Sequence, residues 1–172
     1  MIQQVDMLSE IANEFSNFAE LPKAKMTKVN IYEVIKKTID LYENDDKVTI
    51  KIIKKTNEDL TIKGDENQLT RVFTNLINNS IQSISDNGRI EINISNKGDL
   101  ISIKFIDNGV GIPKELQNHI FEPKFTTKSN GKGLGLSIVH QIVSIHNGEI
   151  YLKKSKEKET CFVIFFPKAR HQ

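Results

Sequence analysis

The chain carries a single cysteine and no tryptophan in 172 residues. One cysteine, Cys161, excludes an internal disulfide and a cysteine-based zinc site. It stands in an alternating apolar run, which reads as a buried strand position rather than a reactive thiol. No apolar run is long enough to span a bilayer, and no signal peptide is visible. A net charge of +2 is too small to argue for nucleic acid or a membrane surface as a partner. The expected location is a reducing cytoplasm, with no membrane contact by this piece, whether or not an intact parent is membrane-anchored. No internal repeat is present.

What is there is ordinary globular material, 38% hydrophobic and 27% charged. That length supports one domain, or one domain with an appendage, and a core without staples. Ile2, Val5, Leu8, Ile11, Ala12, Phe15, Phe18 and Ala19 recur at helical spacing, so residues 2–19 read as an amphipathic helix ending near Leu21-Pro22. Residues 1–22 thus form a unit apart, 23–29 (KAKMTKV from 23) a linker, 30–168 the main domain and 169–172 a tail. Asn30 with Glu33 signals a helix start, running to about Glu43. Val48–Ile53 and Leu60–Lys63 alternate as strands. Asp65 with Gln68 opens a long helix to about Ile84. Arg89–Ser95 and Leu100–Ile106 form a hairpin, a short helical piece follows around 114–118, and Leu134–Ile145 is a helix. Glu149–Lys153 and Thr160–Phe166 close the chain as a second hairpin, with the mixed-charge run from Lys153 to Glu159 as its solvated tip. The expected fold is a two-layer α/β sandwich: a mixed, largely antiparallel sheet with helices on one face.

Three stretches carry chemistry. On the long helix, Asn75, Asn79 and Gln82 fall within roughly 60° of each other, with Arg71 and Asn78 beside them. Asparagine is a poor helix former, so this concentration points to a site rather than a solvated face. Neutral amide oxygens suit a hard cation such as Mg²⁺ shared with phosphates. In IDNGVGIP, 106–113, a strand ends on Asp107, which can accept from an exocyclic amine, followed by Gly109 and Gly111. Neither the dinucleotide fingerprint nor the P-loop pattern is satisfied. In FTTKSNGKGLGL, Gly131, Gly133 and Gly135 run into a helix whose exposed amides and dipole favour anions. This is a phosphate-cradling loop of another type, long and polar enough to serve as a lid.

In this order, the blocks QLTRVFTNLINNSIQS, IDNGVGIP, IFEPKFTTKSNGKGLGLSIV and HNGEI with ETCFVIFFP resemble the ATP-binding domain of sensor histidine kinases, in the GHKL superfamily. The resemblance covers roughly residues 25–168 and implies the Bergerat sandwich fold, ATP and Mg²⁺. It implies that Asn79 coordinates Mg²⁺ and that Asn75 contacts phosphates or a metal-bound water. Asp107 would accept from the adenine amino group; Gly109 and Gly111 would let the ring approach, with Ile112 beside them. Phe125, Thr126, Thr127 and Lys128 would form the lid. Gly131, Lys132, Gly133, Leu134, Gly135 and Leu136 would wrap the phosphates, and Thr160 would lie near the adenine. Gln82 stands where many members carry a phosphate-binding lysine, Lys132 replaces a Thr or Ser, Glu159 replaces a glycine, and Gln68 and Arg71 look exchanged. Residues 1–22 resemble the end of the second dimerisation helix of nitrogen-regulation-type sensor kinases.

The expected activity is transfer of the ATP γ-phosphoryl group to a histidine on a dimerisation domain absent from this chain, with a response regulator as further partner. His119, His140, His146 and His171 do not fit the phospho-acceptor pattern and read as structural or surface residues. Two alternatives stay open. One is another GHKL activity: an ATPase, for which Asn75 occupies the place of the water-activating glutamate, or an anti-sigma serine kinase. The other is a non-catalytic interaction module that has kept the fold and lost nucleotide.

Overall fold

The structure, a computed structural model, describes residues 21–43, 45–123 and 134–169. The helix expected over residues 2–19 lies outside them, as does most of the tail.

The chain enters through a strand, β1 (Thr27–Asn30), where the sequence reads as linker. β1 pairs antiparallel with β3 (Thr61–Gly64). Polar side chains hid it: only Val29 of its four residues is buried, so no alternation shows. Helix α1 (Ile31–Asp40) follows at once, with Asn30 Oδ1 accepting from the N–H groups of Tyr32 and Glu33. Its last turn to Glu43 is not helical. β2 (Val48–Lys54) precedes β3, and α2 (Glu66–Ser83) starts at the expected cap, Asp65, which accepts from the Gln68 N–H at 3.0 Å.

β4 (Gly88–Lys97) and β5 (Leu100–Asp107) form the first hairpin, and a single 3₁₀ turn at Lys114–Leu116 stands in the short helical stretch. Helix α3 is Gly135–Ile145; β6 (Glu149–Lys156) and β7 (Glu159–Pro167) close the chain. This second hairpin is longer than the sequence shows: Lys156 pairs with Glu159, leaving a two-residue turn in which Lys158 takes φ +63°. The charged run is therefore mostly strand, and the turn alone is the tip.

The sheet order is β2-β4-β5-β7-β6, with β2 parallel to β4 and every other neighbour antiparallel. That is the mixed, largely antiparallel sheet expected. Ile90, Ile92 and Ile94 of β4, Ile101, Ile103 and Phe105 of β5, and Phe162, Ile164 and Phe166 of β7 lie on one face. They bury against Leu69, Val72, Phe73, Leu76 and Ile77 of α2 and Val139, Ile142 and Val143 of α3. The period of two on the strands meets the helical stripe, and both are satisfied by one core. Phe73 is fully buried, and truncating such a residue to alanine costs about 3–5 kcal/mol. Cys161 is buried on β7, and burial pushes its thiol up. No helix among the described residues is long and apolar enough to cross a membrane.

Candidate functional site

Three elements converge: the polar side of α2, the loop leaving β5, and the start of α3. On β5, Ile101, Ile103, Phe105 and Asp107 share the inward phase of the pleat, so the same alternation that builds the core aims Asp107 at α2. Asp107 is only 4% exposed. A charge so placed needs donors. Ser80 Oγ on α2 donates to Oδ2 at 2.9 Å, and the Gly109 N–H donates to Oδ1 at 2.8 Å. Thr160 on β7 is buried and faces Asp107 in register.

The two loop glycines have reasons internal to the protein. A Cβ at Gly109 would stand 2.1 Å from Ser83 Oγ and 2.8 Å from Asp107 Oδ1. Gly111 has φ +83°, and a Cβ there would stand 2.7 Å from the Lys156 backbone carbon and oxygen. The β6–β7 turn and the end of α2 occupy the space beside these residues, a constraint that the expectation of ring approach did not contain. The loop is tied on both sides: the Val110 N–H donates to Ser83 O at 3.0 Å, and the Lys158 N–H to Gly109 O at 2.9 Å. A cleft of about 440 Å³ opens where loop and turn meet, lined by Val110, Gly111, Ile112, Pro113, Lys156 and Glu157. No lining residue comes from α2, so this cleft is not where the asparagines point.

Asn75 and Asn79, both half-buried, face the first residue of α3. A Cβ on Gly135 would lie 3.6 Å from Asn75 Oδ1, 3.6 Å from Asn79 Nδ2 and 3.7 Å from Asn79 Oδ1. Asn78 leaves this group; it is exposed, and its Oδ1 accepts from the Tyr42 hydroxyl at 2.9 Å. Gln82 is exposed at the end of the same helix. Helix α3 begins without a side-chain cap and without an acid in its first turn. Leu134 is buried and Leu136 half-buried in the core, so what they can offer a ligand is backbone N–H. Phe125, Thr126, Thr127, Lys128, Gly131, Lys132 and Gly133 lie outside the described residues.

None of the described histidines enters the site. His119 is exposed, its Nδ1 2.7 Å from Glu122 Oε1. His140 is exposed, with its ring centroid 5.5 Å from that of Phe121. His146 is buried and uses both nitrogens: Nε2 accepts from the Asp65 N–H at 2.9 Å, which leaves Nδ1–H to donate to Ile142 O at 2.7 Å. Among the described residues there is no group of three or more His, Cys, Asp or Glu able to hold a metal. A cation here would rest on an amide oxygen, water and ligand phosphates, a donor set that fits Mg²⁺.

Sequence reasoning missed Ser80 and Ser83. Ser80 hid inside the apolar stripe of α2. The signal was available, because a hydroxyl at a buried helical position requires a partner.

Residues 64–170 match the family described as histidine kinase-, DNA gyrase B-, and HSP90-like ATPase, and the chain belongs to that family. It is 36% identical over 167 residues to sporulation kinase A of Bacillus subtilis (strain 168), covering 94% of this chain and 28% of that protein. It is 31% identical over 169 residues to the sensor histidine kinase ZraS of Escherichia coli (strain K12), covering 97% and 36%. The nitrogen regulation protein NtrY of Azorhizobium caulinodans is 29% identical over 170 residues, covering 95% and 22%. The chain thus spans about a third or less of the length of these relatives. Among solved structures, the nucleotide-free catalytic domain of histidine kinase ThkA superimposes with a TM-score of 0.75 at 32% identity, covering 84% of this chain and 96% of that one. ThkA in complex with the response regulator protein TrrA superimposes with a TM-score of 0.79 at 27% identity, covering 98% and 49%. Within the family, the fold is that of a sensor histidine kinase catalytic domain.

Proposed function

We propose that this chain is the ATP-binding catalytic unit of a sensor histidine kinase, passing the γ-phosphoryl group of ATP to a histidine on a dimerisation domain. The observation that carries the reading is the pairing, across one helix, of a buried carboxylate with two amides at an uncapped helix start. Ser80 on α2 holds Asp107, while its neighbour Asn79 faces Gly135. A carboxylate only accepts, so Asp107 placed at the six-position of the base would favour the amino group of adenine over the carbonyl of guanine. The phosphates would run from there to the start of α3, whose N–H groups and dipole favour anions. Bound Mg²⁺, with Asn79 as its protein ligand, would neutralise charge on the phosphates.

Transfer would break the bond between the γ-phosphorus and the bridging oxygen, leave ADP with the electron pair, and form a bond to an imidazole nitrogen in line. Positioning supplies most of such catalysis. The acceptor is expected on the dimerisation domain: none of the described histidines lies at the site, and the buried His146 has both nitrogens engaged inside the fold. Asn75 in place of a glutamate favours a kinase over a hydrolase, since no base is present there to activate water. The ThkA–TrrA complex supports a response regulator as the downstream partner.

Thermal unfolding with ATP or ADP, with and without Mg²⁺ and against GTP, tests the site. At a hundred times its dissociation constant a ligand stabilises by about 2.7 kcal/mol, a shift of several degrees. The shift should be adenine-selective, enhanced by Mg²⁺ and lost in Asp107→Asn. Equal shifts with GTP would remove the base-recognition role of Asp107. Phosphotransfer to an added histidine-bearing dimerisation domain then tests the kinase reading; bound nucleotide without transfer would count against it.

A further inference from the structure

The loop after Asp107 turns on one residue. Ile112 offers an N–H and a C=O, and both are held by side chains, one of them 43 residues away in sequence. The Ile112 N–H donates to Ser155 Oγ at 2.8 Å. The Ile112 C=O accepts from Gln117 Nε2 at 2.8 Å. The same Gln117 amide also donates to the Ser155 C=O at 3.3 Å. Ser155 and Gln117 therefore form a closed bracket around the Ile112 peptide. Ser155 reaches further, since its Oγ lies 3.2 Å from Thr160 Oγ1, and Thr160 faces Asp107 across β7 and β5. One hydroxyl thus links the loop to the two residues at the floor of the site.

This linkage has a visible backbone counterpart. Gly111 at φ +83° turns the Ile112 N–H toward β6, and Lys158 at φ +63° turns its own N–H toward Gly109 O at 2.9 Å. A non-glycine residue in the left-handed region is uncommon. Strain of that kind persists where surrounding contacts fix it. The turn residues are thus bent toward the loop, and the loop toward the turn.

We propose that Ser155 and Gln117 are positioning residues for nucleotide recognition, fixing the loop of Gly111 and Ile112 and the hydroxyl of Thr160 so that the base is read by Asp107. The proposal rests on the ATP reading above. Neither residue need touch the nucleotide; each acts through Ile112 or Thr160.

The test measures equilibrium affinity for ATP and GTP by calorimetry on the full chain, with melting of the nucleotide-free protein alongside. Ser155→Ala and Gln117→Ala should each weaken ATP roughly tenfold and narrow the ATP-over-GTP ratio, while the ligand-free melting temperature moves little. Ser155→Thr, which keeps the hydroxyl, should restore affinity to within about threefold. Gln117→Glu, which cannot donate, should behave as Gln117→Ala. A purely structural role would lower the melting temperature and leave both the affinity of the folded protein and the base preference unchanged; that result overturns the proposal. If Ser155→Ala fails to fold, Gln117→Ala and Gln117→Glu decide alone. Wild-type protein that binds neither nucleotide would instead overturn the ATP reading itself.

Discussion

The three α-helices among the described residues begin in two different ways. At α1 and α2 the first turn is closed by the protein: Asn30 accepts from two backbone N–H groups, Asp65 accepts from that of Gln68, and Glu33 and Glu66 add negative charge there. At α3 none of this is present. Leu134 precedes the helix and makes no side-chain cap, Gly135 opens it, and no acid stands in the first turn. A helix start leaves N–H groups without internal partners, and a positive dipole end with them. Two of these ends are spent on stability. The third is the end to which the phosphates of the proposed nucleotide would run, and the amides of Asn75 and Asn79 stand beside it. The proposed phosphate site is a place where the local stabilising rule is not applied.

Applying that rule to α3 gives the largest expected effect. Gly135→Asp would put a carboxylate at the first turn, beside the two asparagines, where a Cβ meets only ordinary contacts. A negative charge about 5 Å from a phosphate costs about 3 kcal/mol at an effective dielectric near 20. ATP affinity should fall roughly a hundredfold, while the ligand-free protein melts within about 2 °C of the parent. ATP binding within threefold of wild type would show that the phosphates do not sit at α3.

Removing a cap from α2 should have the opposite profile. Asp65 does more than cap: its Oδ2 accepts from the Lys25 N–H at 2.7 Å, and its own N–H is held by His146. Burial raises its carboxyl, but the backbone donors from Lys25, Gln68 and Asn67 outweigh that and hold it below the usual range. A group with a lowered folded pKa contributes stability that is present above its unfolded pKa, about 3.9, and lost as the pH falls through the folded value. Asp65→Ala should cost about 2 kcal/mol at neutral pH, one for the cap and one for the orphaned amide, or roughly 4–8 °C in melting temperature. That deficit should shrink below about pH 4, with wild type converging on the variant. A pH-independent deficit would mean that charge plays no part in the cap.

How far all this was legible follows the same division. Caps at Asn30 and Asp65, the strands of the central sheet and the asparagine group could be read because each rests on neighbours in sequence or on a fixed period. Asp107 could be found because a strand phase ended on it. The partners of Asp107 could not, because Ser80 is 27 residues away and looks like a gap in an apolar stripe. Ser155 is 43 residues from Ile112, and the run around it reads only as solvated charge. β1 reads as linker in the sequence because pairing, not pattern, makes it a strand. Contacts between distant segments depend on register, and no local signal encodes it.

The smallest prediction sharpens the comparison at α1. Asn30 accepts at 3.0 Å from Tyr32 and at 3.4 Å from Glu33, both on the exposed side of the helix start. Asn30→Ala should cost about 1 kcal/mol, or roughly 2–4 °C. Unlike Asp65→Ala, the loss should be flat from pH 7 to pH 3, since a neutral amide has no proton to gain. ATP affinity should not move, because α1 contributes no residue to the site. Asn30→Asp should hold stability at neutral pH and lose it on acidification, converting a silent cap into a titrating one. If Asn30→Ala instead weakened ATP binding, helix starts in this fold would be coupled to one another. The division between stabilising and ligand-binding ends would then not hold.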